Sequence, residues 1–262
     1  MKSLSLIAIS ALISSTVWAG TACPEHFVNG DTPKINDRKL MAKTKNLCFE
    51  GYATLHSGVS RTPVWVAEHL TTERLEDARQ MRRKNSFHAE EQLPEEDRAE
   101  LRDYKRSGFD RGHMAPSGDM PDAQAQYESF SLANMIPQNP NNNQQLWEGI
   151  ESSVRQWASD SGEVYVVSGP LFEGRRLQRI NNRVLVPTYV FKAVYDPNKG
   201  IAGAYVTPNE EGDTYEVLSI NELEQRTGID VFPSLSAKIK ERRPNLPKPK
   251  QRGGRRFVND EE

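Results

Sequence analysis

The chain has 262 residues, 36% apolar and 27% charged, with 17 Gly, 16 Pro and 2 Cys. That length can bury a core of its own, and the composition excludes collagen, a coiled coil, a disulfide-dense mini-protein and a wholly disordered chain. The net charge of −2 hides an asymmetry: Lys238 to Glu262 holds nine basic and four acidic residues, whereas residues 20–237 hold 24 basic and 32 acidic. The molecule is therefore no uniform basic coat for nucleic acid; an acidic body carries a basic end.

Met1-Lys2 gives a small positive start, Leu4 to Trp18 is uncharged and mostly apolar, and Val17-Trp18-Ala19 suits cleavage after Ala19. This reads as a secretory signal over residues 1–19, with the mature chain periplasmic or secreted. The segment is short for a membrane span of ~20 residues. No other stretch is long and apolar enough to cross a bilayer, so no membrane association is expected after cleavage. In an oxidising compartment the only two cysteines, Cys23 and Cys48, are expected to pair. Their bridge would close a loop of about 25 residues and add roughly 3 kcal/mol by restricting the unfolded chain.

Beyond the signal, Lys45 to Leu70 reads as a hairpin: one strand over Leu47–Leu55, a turn at His56-Ser57-Gly58, and a second strand over Thr62–Leu70. Thr71 to Lys84 is a charged helix or loop, and Glu90 to Arg106 is charged surface. Two short strands follow, Gly108–Pro116 and Phe130–Gln138. Residues Asn139 to Asn143, four Asn and one Pro, suit the cap of a helix. Leu146, Trp147, Ile150, Val154 and Trp157 recur at helical spacing, predicting an amphipathic helix that stops near Gly162. Strands resume over Glu163–Gly169, Val184–Tyr195 and Ile201–Val206. Ser219 caps a helix over Ile220–Thr227, with Gly228 as its stop. Val231-Phe232-Pro233 closes the folded part, and residues 238–262 read as a disordered basic tail that would tether nucleic acid. Strands dominate around one central helix. The fold class is α+β, with a mixed or antiparallel sheet.

Chemistry concentrates in Asp110-Arg111-Gly112-His113. A His beside an Arg resists protonation, and a neutral imidazole accepts a proton near pH 7. The Arg offers a planar fork for phosphate. Gly112 permits close approach of backbone or ligand, and Asp110 is placed to orient a neighbour. Asn143 at the helix start and Glu151 two turns on supply oxygen donors that suit a hard cation. On an ideal α-helix they stand about 80° apart and about 12 Å along the axis, so Glu151 would share an ion with Asn143 only through water. The plain alternative is Asn143 as an N-cap and Glu151 as a solvated charge.

Gly108–Pro116, then Leu132–Gln138, then Asn143–Trp147 with Glu151 together resemble the DNA/RNA non-specific endonuclease family, whose members carry a ββα-metal (His-Me finger) site. The likeness runs from about Tyr52 to Pro233, including Asn221-Glu222-Leu223-Glu224 and Thr227-Gly228; it implies one endonuclease domain over residues 20–237. It also implies that His113 is a general base, that Asn143 is the sole direct ligand of one Mg²⁺ (Mn²⁺ substituting), and that Glu151 acts through metal-held water. Arg111 would contact phosphate and Asn134 would support the site. An upstream Arg would stabilise the transition state, Arg83 being the counterpart and Arg82 its rival. The implied activity is hydrolysis of DNA and RNA with little sequence preference. The alternatives are a nucleic-acid-binding protein without catalysis and a narrower phosphodiesterase. A homodimer and an inhibitor protein are both compatible with the likeness.

Overall fold

The computed structural model of the chain describes residues 23–250 and the backbone of residues 258 and 259; the signal reading falls on residues outside this range. In chain order the strands are β1 (Thr44–Cys48), β2 (Ala53–Ser57), β3 (Thr62–Thr71), β4 (Asp110–His113) and β5 (Met135–Gln138), then β6 (Glu163–Leu171), β7 (Tyr189–Asp196), β8 (Ile201–Pro208), β9 (Thr214–Leu218) and β10 (Val258–Asn259). Eight of them form one sheet in the order β10-β9-β8-β7-β6-β3-β2-β1, antiparallel throughout except for β10 on β9. Strands β4 and β5 pair only with each other.

Side chains alternate across a strand, and the central strands bury both faces. On β7, Val190 and Val194 join one core, whereas Phe191 and Ala193 join another. The first core receives the long helix: Leu146, Trp147, Ile150, Val154 and Trp157 are all buried in it, as their spacing predicts. The second is covered by the N-terminal segment and by α4 (Ile220–Thr227), through Phe27, Trp65, Phe191, Ile220, Leu223 and Phe232. The remaining helices are α1 (Thr72–Gln80), α2 (Ala123–Ser129), the long α3 (Glu148–Ser161) and the short α5 (Ala237–Glu241).

Local chemistry sets the helix ends. In α4 the Ser219 hydroxyl accepts from Glu222 N at 3.2 Å and the Glu222 carboxylate accepts from Ser219 N at 2.7 Å. This reciprocal pair satisfies two otherwise free donors. Gly228 ends α4 at φ 70° and Gly162 ends α3 at φ 100°, conformations that a Cβ disfavours. Cys23 and Cys48 form a disulfide, Cα atoms 5.9 Å apart, which ties the first described residue to the end of β1.

Two expectations need correction. Leu47–Leu55 is not one strand: the chain reverses at Glu50-Gly51, where Phe49 N donates to Tyr52 O at 2.9 Å and the two rings stack at 4.6 Å. Nor do residues from 238 onward begin as a loose tail. Helix α5 opens the segment, and Lys240 bridges Glu224 and Asp230 at 2.9 and 2.6 Å. A proline-rich strap then crosses the molecule with Leu246 buried in the first core. Tyr205 Oη donates to Pro247 O at 2.6 Å, Ser153 Oγ to Lys248 O at 2.8 Å, and Lys250 N to Gly149 O at 3.0 Å. The apolar content of this stretch is low, but one Leu, a carbonyl and an N–H bonded to α3, and a carbonyl bonded to β8 suffice to dock it. Leu246→Ala is therefore expected to cost about 2–5 kcal/mol, read from the shift in denaturant midpoint. A midpoint unchanged from wild type would show that the strap adds nothing to stability.

Candidate active site

Four residues of β4 face four of β5: Asp110 opposite Gln138, Arg111 opposite Pro137, Gly112 opposite Ile136, and His113 opposite Met135. Asn134 locks the end of this ribbon. Its amide nitrogen donates to Ala115 O and Ser129 O, both at 2.8 Å, and its oxygen accepts from Ala115 N at 2.9 Å. Fully buried and fully bonded, it cannot reach a substrate and acts only by holding the backbone just past His113. Gly112 has a specific duty. A Cβ there would lie 2.6 Å from Gln138 Cβ, so the Gly lets the Gln138 side chain cross beneath the ribbon. Gln138 Nε2 then donates to Asn142 Oδ1 at 2.8 Å and clamps the start of the next helix.

That helix opens with an α-type bond, Asn143 N donating to Asn139 O at 2.9 Å, and then widens. Asn139 is its cap, accepting from Asn141 N at 2.9 Å, and Asn142–Trp147 forms a π-turn before α3 proper. The cap reading for Asn143 is thus corrected. A π-turn takes up one extra residue, which removes about 100° and brings Asn143 and Glu151 to within about 20° of one line. The phase difference expected from ideal spacing disappears. Asp110 orients Asn143: its Oδ2 accepts from Asn143 Nδ2 at 2.9 Å and from Gln144 Nε2 at 2.8 Å. A carboxylate only accepts, so the Asn143 oxygen is turned away from it and accepts no hydrogen bond among the described residues.

His113 is 8% exposed and enclosed by rings, 4.9 Å from Phe130 and 5.7 Å from Phe87, centroid to centroid. Arg111 stacks on Phe87 at 4.0 Å, and Arg83 lies 5.2 Å from the Phe130 centroid. Among the described residues neither guanidinium has a carboxylate within 4.0 Å, which leaves both positive charges uncompensated beside the imidazole. Burial first, then Arg83, then Arg111 lower the His113 pKa from 6.5 to about 3. Both Arg82 and Arg83 are exposed, but it is Arg83 that lies over Phe130 and whose charge acts on the imidazole.

On the helix side, Glu151 makes no hydrogen bond among the described residues, and burial raises its pKa to about 7 against the pull of Lys192 and Arg155. Beneath it lies a group of charges that sequence reading passed over. Arg155 donates to Asp119 at 2.8 Å, and Arg74 stands 3.6 Å from Glu68, whose two oxygens are buried without hydrogen bonds among the described residues. Their signal was present: Glu68 and Lys192 interrupt apolar strand faces, a pattern that singles out buried charge.

Two oxygen donors suit a hard cation: the amide oxygen of Asn143 and the carboxyl of Glu151, neither hydrogen-bonded among the described residues; His113 Nε2 is likewise buried without a partner. The one close His/Cys/Asp/Glu cluster among the described residues, Cys23, Glu25 and His26, offers no such site because Cys23 is disulfide-bonded.

Comparison with known proteins decides the family. The sequence pattern of the DNA/RNA non-specific endonucleases matches residues 32–238. The chain belongs to this family. Mitochondrial nuclease EXOG of Danio rerio is 37% identical over 208 residues, covering 71% of this chain and 60% of that protein. The mitochondrial nuclease of Saccharomyces cerevisiae is 34% identical over 211 residues, covering 70% of this chain and 64% of the yeast protein. The chain thus spans less than two thirds of either relative. The crystal structure of an EndoG/EndoGI complex, described as showing the mechanism of EndoG inhibition, is similar with a TM-score of 0.65 and 28% identity; 74% of this chain and 88% of that one are covered. The α+β class and the ββα-metal arrangement hold for this endonuclease-family chain. The expected periplasmic or secreted location is overturned: these relatives, like those from Caenorhabditis elegans and human, are mitochondrial nucleases. No described helix is long and apolar enough to cross a membrane.

The pKa shifts make pH predictions of opposite sign. For His113 the folded value lies below the unfolded 6.5, so its contribution to stability is present above 6.5 and is lost as pH falls toward 3. For Glu151 the folded value lies above the unfolded 4.5, so its contribution is present below 4.5 and is lost as pH rises through 7. Between pH 6.5 and 5, wild type is expected to lose about 2 kcal/mol that His113→Gln does not lose, measured by denaturant unfolding of metal-free protein. An imidazole resonance of His113 titrating near 6.5 would contradict the assignment.

Proposed function

We propose that this chain is a divalent-cation-dependent nuclease that hydrolyses phosphodiester bonds of DNA and RNA, with His113 as general base. The observation that carries the reading is a buried imidazole kept neutral by enclosure and by two uncompensated arginines, on the same short strand as Asp110, whose carboxylate holds the Asn143 amide by its nitrogen and leaves its oxygen free. Asn143 would hold the ion directly and Glu151 through water. Mg²⁺ suits this set of hard donors, with Mn²⁺ as a substitute. When bound, the ion supplies positive charge at the scissile phosphate and the leaving oxygen.

His113 removes a proton from a water placed in line with the scissile P–O bond; the oxygen so activated attacks phosphorus as the bond to the 3′ oxygen breaks, and that leaving oxygen takes a proton from water. Because the ring is neutral over the whole physiological range, it needs no prior deprotonation; the approach of the anionic phosphate favours the imidazolium that forms. Arg111, held flat on Phe87, presents its fork to a non-bridging oxygen. Arg83 adds a second positive charge from the opposite side of the ring system, and its favoured task is to stabilise the pentavalent phosphorus. Asn134 holds the ribbon and touches nothing that reacts. None of these roles needs a base-reading helix, so recognition is of backbone, with little sequence preference.

Supercoiled plasmid and structured RNA, each incubated with Mg²⁺ and with EDTA, test this reading. Cleavage of both polymers, abolished by EDTA, is the expected result. His113→Ala is expected to lower the rate by about 10²–10⁴, and Arg83→Ala by about 10²–10³, while Arg82→Ala stays near wild type. Tight binding without cleavage would establish a binding protein instead; inertness toward both polymers would point to a narrower phosphodiesterase.

A further inference from the structure

Two charged residues stand where strand alternation calls for apolar ones. On the face toward α3, β3 reads Val66, Glu68, Leu70 and β7 reads Val190, Lys192, Val194. Glu68 and Lys192 are each 1% exposed. Val66 and Lys192 both lie opposite Ser168 of β6, and Glu68 lies opposite Val166, so the two charges share one face of the sheet on the strands that flank β6. Withdrawing an ammonium group from water is costly unless its hydrogens find acceptors. Lys192 Nζ donates to Ser168 Oγ at 2.8 Å and to Met114 O at 3.3 Å, and lies 5.3 Å from the centre of the Trp147 ring. Glu68 and Glu151 are carboxyls that feel its charge.

These partners are not arbitrary. Met114 directly follows His113, Trp147 closes the π-turn that begins at Asn142 and carries Asn143, and Ser168 is in the middle of the sheet. One side chain therefore touches the strand of the base, the turn of the amide ligand and the rigid scaffold between them. We propose that Lys192 is a positioning residue of the nuclease reaction, pinning the His113 strand and the Asn143 turn to the central sheet and so fixing the separation of base and amide oxygen. The inference rests on the roles given above to His113 and Asn143. Stability alone does not explain the residue, because replacing a buried charge together with its partners by apolar groups of the same volume is often neutral or stabilising. Met would fill the space left by Lys192. It would not hold the Met114 carbonyl.

The loss of activity should therefore exceed any loss of folded protein. Lys192→Met strips Glu68 and Glu151 of a buried counter-charge, so the denaturant midpoint is expected to fall, while kcat per folded molecule on plasmid falls about 10- to 100-fold, the scale of a misplaced reacting group. KM should not change, since the side chain is enclosed and meets no substrate. The ring resonance of His113, followed in labelled protein, should move in Lys192→Met. Lys192→Gln, which restores a donor without the charge, should recover part of both. Wild-type kcat with an unmoved resonance overturns the proposal, as does a loss of kcat that matches a loss of folded protein. If Lys192→Met does not fold, Ser168→Ala removes the nearer anchor and is read the same way; an unchanged kcat and resonance there overturn it equally. If wild type cuts neither polymer, the nuclease reading fails, but the His113 resonance still decides the positioning: a shift in Lys192→Met supports it and no shift overturns it.

Discussion

A general base that must remain neutral and a cation that must bind beside it ask for opposite surroundings, and this conflict organises the molecule. Neutral imidazole is favoured by enclosure and by positive neighbours. A divalent ion is favoured by oxygen donors and negative neighbours. The chain separates the two on different elements. Phe87, Phe130, Arg83 and Arg111 gather around His113 on the ribbon. Asp110, Asn143 and Glu151 gather along the helix side. Asp110 belongs by sequence to the first group and by contact to the second. It turns the amide oxygen outward and adds negative charge where a cation would lie, without reaching the imidazole.

The π-turn is the second device. Ideal α-helical spacing leaves Asn143 and Glu151 out of phase, and the one-residue insertion of Asn142–Trp147 restores it. A wide turn is weaker than an α-turn and needs support. Asn139 caps it at one end, Gln138 holds Asn142 across the space that Gly112 leaves open, and Trp147 is buried against the sheet at the other. Asn142 also donates to Thr207 Oγ1 at 3.2 Å and to Pro208 O at 3.1 Å, which ties the turn to β8. Gly112, read from the sequence as room for backbone or ligand, thus makes room for a neighbouring side chain.

Much of this was legible in the sequence because it obeys short-range rules. The spacing of Leu146, Ile150, Val154 and Trp157 marked α3, and Ser219 with Gly228 bounded α4. The ribbon and its chemistry were readable because Asp110 to His113 and Asn134 lie in compact runs. What was not legible depended on long-range contact. Glu50-Gly51 reads as the inside of a strand until Tyr52 turns back on Phe49. The strap of residues 244–250 has almost no apolar content of its own, and its order comes from Leu246 alone finding the core and from backbone groups bonded to α3 and β8. Hydrogen-bond register in a π-turn leaves no trace in residue spacing, so the helix arithmetic failed there for a physical reason. Arg83 separates from Arg82 only because one side chain reaches Phe130 and the other does not.

The buried charges show how far strand alternation can be broken and still fold. An isolated ion in this core would be intolerable. Here three cations, Arg74, Arg155 and Lys192, interleave with Glu68, Asp119, Glu148 and Glu151. The acidic members outnumber the basic ones by one, and burial raises the pKa of Glu68 and Glu151, so the free protein relieves the excess by retaining protons. A cation arriving near Glu151 would make that retention unnecessary. On the proposed reading, ion binding and proton release would be coupled through these groups. The acidic balance of the body, which opposes nucleic acid at a distance, would favour the cation locally, while Arg83 and Arg111 would offer positive charge to a phosphate beside His113.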